Sequence, residues 1–128
     1  WGRFITPSGA SVGKKEALEL RDGDVNHFFG KGVSKALANI EQHIKKVIVE
    51  KSFPDSAALD RCLIELDATP NKTRLGANAI LAVSGAFFRA IAEYEKRPLY
   101  QGGERMGPFI MPMPLVRMPI MVWLFKSL

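Results

Sequence analysis

Residues 71–96 read NKTRLGANAILAVSGAFFRAIAEYEK. Ile80, Val83, Ser84, Phe87, Ile91 and Tyr94 recur at intervals of three and four, which aligns them on one face of a helix. The spacing predicts a helix over residues 77–96, with small Ala and Gly residues along it that let neighbouring segments approach. Thr69, Pro70 and Asn71 form the break that precedes it.

Reading upstream, residues 55–68 carry a second stripe, Leu59, Cys62, Leu63 and Leu66, behind Pro54 and a cap at Asp55 or Ser56. A third lies over residues 34–50, where Val33, Ala36, Leu37, Ile40, Ile44, Val47 and Ile48 share a face. Ser34 or Gly32 is the expected cap, and Lys45, Lys46 and Lys51 sit where the helix dipole favours cations. Residues 1–6, WGRFIT, read as a short strand ended by Pro7. Residues 15–20 read as a second extended piece or a helical turn, closed by Asp22-Gly23-Asp24. About three helices against a small, incomplete antiparallel sheet give an α+β fold class.

The chain has 128 residues, 47% of them hydrophobic and 24% charged, which suits one globular domain and argues against a disordered or fibrous chain. Lys and Arg outnumber Asp and Glu by 18 to 13. The excess is scattered, its densest spots being the pairs Lys14-Lys15 and Lys45-Lys46, and no aromatic array accompanies them; no nucleic-acid partner is expected. A single cysteine, Cys62, excludes an intrachain disulfide and fits a reducing compartment. WGRFITPSG lacks the basic and apolar regions of a signal peptide.

Beyond Gly107 the composition changes. All five Met residues and four of the eight prolines fall between Met106 and Met121, ahead of Val122, Trp123, Leu124 and Phe125. Pro112, Pro114, Arg117 and Pro119 argue against a spanning helix, so no membrane is expected. The division expected is a domain over residues 1–107 and a Pro/Met-rich apolar tail over residues 108–128, aberrant or disordered.

Candidate chemistry is sparse. Only His27 and His43 are available, and neither has the partners of a nucleophilic triad. Glu16, Glu19, Asp22 and Asp24 crowd a turn but lack the glycine and terminal acid of a calcium loop, and read as a charged exposed turn. GKGVSK before a helix could hold phosphate at the helix N-terminus, yet lacks P-loop spacing. The remaining feature is TPSGASVG, residues 6–13. Gly9 and Gly13 allow unusual backbone angles and Ser8 and Ser11 offer oxygens, so the stretch is either a plain surface loop or one able to close over a ligand.

PSGASVG, EALELRDGD, GKGVSKA, NKTRLGANAILAVS and RPLY, in this order and spacing, resemble the N-terminal domain of enolase (phosphopyruvate hydratase). The resemblance runs from Phe4 to about Pro114, including MPMP, which resembles the segment leading into that family's barrel. It implies a glycolytic, cytoplasmic lyase, usually dimeric, that dehydrates 2-phosphoglycerate to phosphoenolpyruvate, with two Mg²⁺ ions and a lysine base. It implies further that Ser8, Gly9, Ala10, Ser11, Val12 and Gly13 form a mobile lid, and that Ser11 supplies oxygens to the second Mg²⁺. Val12 stands where the family usually has threonine.

Measured against that family, strands preceding Phe4 are missing and the sheet is expected to be incomplete. The barrel, with its lysine, carboxylates and histidine, is absent, so the chain is expected to be inactive alone. After MPMPLV the chain gives RMPIMVWLFKSL, and a frameshift or exon error near Arg117 is the expectation. The alternative role is a non-catalytic interaction or regulatory protein that binds intact enolase or another partner through the apolar tail.

Overall fold

The structure, a computed structural model, describes residues 1–9, 13 and 15–102. Among them three helical stretches carry the fold. The first runs without interruption through α1 (Ser34–Asn39), a π-helical turn (Ile40–Ile44) and α2 (Lys45–Ile48), the junction residues Asn39, Ile40, Ile44 and Lys45 all holding right-handed helical angles. It is followed by α3 (Ser56–Asp67) and the long α4 (Ala77–Tyr94). Short 3₁₀ turns stand at Phe28–Gly30 and Leu99–Gln101.

Each helix forms where its apolar spacing predicts one, but its register against the core is narrower than the stripes imply. Ile44, Leu59, Leu63 and Leu75 are fully buried, with Ala36 and Ala79 packed among them. Ile40, Ile48, Leu66, Val83 and Phe87 cover that centre, and Phe53 meets the Phe87 ring edge-on at 6.1 Å. Leu37 and Tyr94, both placed on core faces by periodicity, are exposed. A helix presents a stripe wider than the neighbour it packs on, so the stripe's margins and its last turn stay in solvent.

Asp55 caps α3, its carboxylate accepting from the Ala58 N–H at 2.7 Å. At the other end Ala68 takes a left-handed conformation (φ 57°), ending α3 just ahead of Pro70. The turn between α3 and α4 is organised by Asp67, which is fully buried. Its Oδ1 accepts from the Thr69 N–H at 3.1 Å and from the Thr69 hydroxyl, and its Oδ2 accepts from the Leu75 N–H at 2.7 Å. Burial alone would push this carboxyl up, but Thr69, the Leu75 amide and the Lys72 charge together hold it below the ordinary range.

The α+β expectation is corrected: among the described residues there is no β-strand, and the small antiparallel sheet is not seen. The reason lies in where residues 1–6 find their partners. A Cβ on Gly2 would stand 1.9 Å from the Ala86 carbonyl oxygen and 2.5 Å from the Ala90 nitrogen; one on Gly85 would stand 2.6 Å from the Phe4 ring. The Thr6 hydroxyl donates to the Asn78 carbonyl at 3.5 Å. The segment thus lies along α4 in the opposite direction. Ala86 to Asn78 spans about 12 Å of helix, close to the reach of four fully extended residues, about 14 Å. Gly2, Phe4 and Thr6 face inward while Trp1, Arg3 and Ile5 are exposed, the alternation of a strand. A strand, however, needs a neighbour that exchanges backbone hydrogen bonds with it, and none of the described segments does so.

Candidate functional site

Thr6 stands at the N-terminal end of α4, where a lattice of hydrogen bonds fixes residues 18–22. The Leu18 N–H donates to Asn71 O at 2.8 Å, and the Ala77 N–H donates to Leu18 O at 2.8 Å. Asn78 clamps the next backbone unit, its Oδ1 accepting from the Leu20 N–H at 3.2 Å and its Nδ2 donating to Leu20 O at 3.0 Å. Gly76 makes this approach possible: it holds φ 93°, and a Cβ there would stand 2.6 Å from Leu20 Cβ.

Held this way, Glu19 faces the loop. The Ser8 hydroxyl donates to Glu19 Oε2 at 3.0 Å, and Arg21 pairs with Glu19 Oε1 at 2.5 Å while donating to Lys31 O at 2.6 Å. The Glu16 N–H returns to Gly13 O at 3.2 Å and closes a tight turn on the far side of the loop. Together these groups wall a cleft of about 580 Å³, lined by Thr6, Gly9, Glu16, Glu19, Asn71 and Asn78 among others. Its polar groups are hydroxyls, amides, the Glu16 and Glu19 carboxylates and the Arg21 guanidinium, suited to orienting a polar ligand.

Of the expected loop residues, Gly9 lines this cleft, while Ser8 and Gly13 are bonded to its lining residues Glu19 and Glu16. Ala10, Ser11 and Val12 lie outside the described residues, as does the tail over residues 108–128. Among the described residues no group of three or more His, Cys, Asp or Glu is placed to hold a metal ion. One hydroxyl already bonded to Glu19 is no substitute for the carboxylate and water shell that Mg²⁺ requires, so the described residues do not form a magnesium site by themselves.

The acids of the turn serve the backbone. Asp22 accepts from the Ser34 N–H and the Lys35 N–H, both at 2.8 Å, and so caps α1 from twelve residues upstream. The Lys35 and Ser34 amides draw its carboxyl below the ordinary range. Val33, which precedes α1, supplies no side-chain cap, so the expected cap at Ser34 or Gly32 is replaced by Asp22. The same carboxylate fills the helix N-terminus where GKGVSK could have held phosphate. Asp24 accepts from the Asn26 N–H at 3.0 Å and meets His27 Nδ1 at 2.7 Å, and His43 is exposed.

Sequence reasoning missed Glu19, Asn78 and Asp67 as organising residues. Asp67 and Thr69 two residues apart, ahead of Pro70, were a signal for the turn. Asn78 bonds to residue 20 across 58 positions, and nothing local announces that.

Comparison with known proteins follows the same boundaries. The family model described as "Enolase, N-terminal domain" matches residues 1–102. Enolase 1 of Chlorobaculum tepidum is 53% identical over 112 residues, which make up 88% of this chain and 26% of that relative. The chain spans about a quarter of the length of that curated relative.

Proposed function

Because the chain belongs to the enolase family through its N-terminal domain, we propose that it is the lid-bearing part of a phosphopyruvate hydratase. The observation that carries this is the family match over residues 1–102 together with the 53% identity to a curated enolase. In this reading the whole enzyme dehydrates 2-phosphoglycerate to phosphoenolpyruvate in cytoplasmic glycolysis, as a dimer. In the same reading residues 1–107 belong to the N-terminal domain and residues 108–128 are a Pro/Met-rich apolar tail.

This chain's own contribution is the loop. Residues 8–13 close over the substrate, and Ser11 provides an oxygen to a magnesium ion whose remaining ligands come from a barrel. When bound, magnesium would supply charge stabilisation to the anion that develops in the reaction. The bond from Ser8 to Glu19, and from Glu19 to Arg21, supports the lid reading, since it gives the N-terminal side of the loop a fixed hinge. No residue of the chain is assigned proton abstraction, and the chain alone is inactive.

A chimaera in which residues 1–102 replace the matching segment of the Chlorobaculum tepidum enzyme tests the reading. Its absorbance assay for phosphoenolpyruvate should show turnover, and Ser11→Ala in that chimaera should raise the magnesium concentration needed for half-maximal turnover about 10- to 100-fold. An inactive but folded chimaera, or an Ser11→Ala variant with unchanged magnesium dependence, would refute it. Robust turnover by the isolated chain with Mg²⁺ and 2-phosphoglycerate would overturn the assignment of inactivity.

A further inference from the structure

At the opposite end of α4 from the loop, the chain forms a second cleft, of about 500 Å³, with a different character. Two segments wall it, and each is pinned to the helix by a glycine. Gly2 sits directly on the backbone of Ala86 and Ala90, where any Cβ would collide. Gly102 sits on the Phe88 ring, where a Cβ would stand 2.5 Å from Cζ, and this anchors the turn at Leu99–Gln101. The buried Ala92 lies between the walls.

Three guanidinium groups, Arg3, Arg89 and Arg97, line this one cleft against a single lining carboxylate, Glu93. Arg97 is already committed: it pairs with Glu95 and donates to Gln101 O at 3.4 Å, so it holds the turn after α4. Its position past the helix C-terminus also offsets the helix dipole. Arg3 and Arg89 are exposed and have no carboxylate partner among the described residues. Two arginines that line one cleft with no acid paired to either can each offer a planar fork of donors to an oxyanion.

We propose that the cleft between residues 1–3, the last turns of α4 and residues 97–99 binds a small anion carrying phosphoryl groups, with Arg3 and Arg89 as its ligands. The site shares no lining residue with the cleft beside Thr6 and Gly9 and stands independently of the enolase reading. An anion with two linked phosphoryl groups carries more charge and more acceptor oxygens than a single phosphate, and is therefore favoured where two unpaired arginines line one cleft.

Titration calorimetry of the full chain with pyrophosphate, at constant ionic strength, tests it. Saturable binding is expected with Kd about 1 mM or tighter, and inorganic phosphate should bind more weakly. Arg3→Gln combined with Arg89→Gln should weaken pyrophosphate binding about tenfold or more. Lys45→Gln with Lys46→Gln removes the same charge from residues that do not line the cleft, and should change it less than about threefold. No saturable heat below about 10 mM, or equal losses in the two double variants, would overturn the proposal. A second readout needs no variant: pyrophosphate should shield Arg3 and Arg89, but not Arg61, from phenylglyoxal, read by mass spectrometry. Equal modification of all three with and without pyrophosphate would overturn it as well.

Discussion

Two buried or closely packed residues set the turn into α4, and each makes a distinct prediction. Asp67 has no water to satisfy it and uses both oxygens on the Thr69 and Leu75 groups. Asp67→Asn places an amide N–H against one of these donors and should cost about 1–3 kcal/mol, read as a fall in the urea midpoint. The sign of the pH effect follows from the lowered carboxyl. The stabilisation is fully present above the unfolded value of about pH 4 and is lost as pH falls through the lower folded value. The gap between wild type and Asp67→Asn should therefore narrow on acidification; a constant gap would count against this role. At Gly76, φ 93° and the nearness of Leu20 Cβ make Gly76→Ala costly, about 1–3 kcal/mol. Neither residue stood out in the sequence, since an Asp ending an amphipathic stripe and a Gly before one look like ordinary caps until their partners are known.

At the scale of elements, the helices were legible and their mutual fit was not. Periodicity located α3 and α4 to within a few residues because each buries a stripe that the sequence must encode locally. The cap of α1 was not legible, because Asp22 reaches it from beyond a turn containing Phe28 and Phe29, both at positive φ. The N-terminal segment was read correctly as extended in pattern and wrongly as part of a sheet. Its attachment depends on the bare Cα of Gly2 against α4, so Gly2→Val should lift it off the helix. Limited trypsin digestion should then cleave after Arg3 faster than in the wild type; an unchanged rate would show that Phe4 and Thr6 hold the segment without Gly2.

For the whole molecule, the fully buried apolar centre is small among the described residues: Ile44, Leu59, Leu63 and Leu75, with the buried Ala36 and Ala79 packed among them. Removing one of these side chains should therefore have a disproportionate effect. Leu63→Ala is expected to cost about 3 kcal/mol, a large share of the about 5–15 kcal/mol that holds a typical domain together. Far-UV circular dichroism against urea should show the midpoint falling sharply, whereas Leu37→Ala, on the exposed margin of the first helix, should leave it nearly unchanged. Equal shifts would mean that the centre of packing lies elsewhere. Helix positions, the break before α4 and the resemblance that leads to the family are properties of neighbouring residues, so the linear order determined them. The seat of residues 1–6 on α4, the Asp22 cap, the Asn78 clamp and the arginine cleft join residues far apart in the chain. Those were decided only by tertiary structure, because a hydrogen bond or a charge cluster depends on which groups meet in space, and local periodicity carries no record of that.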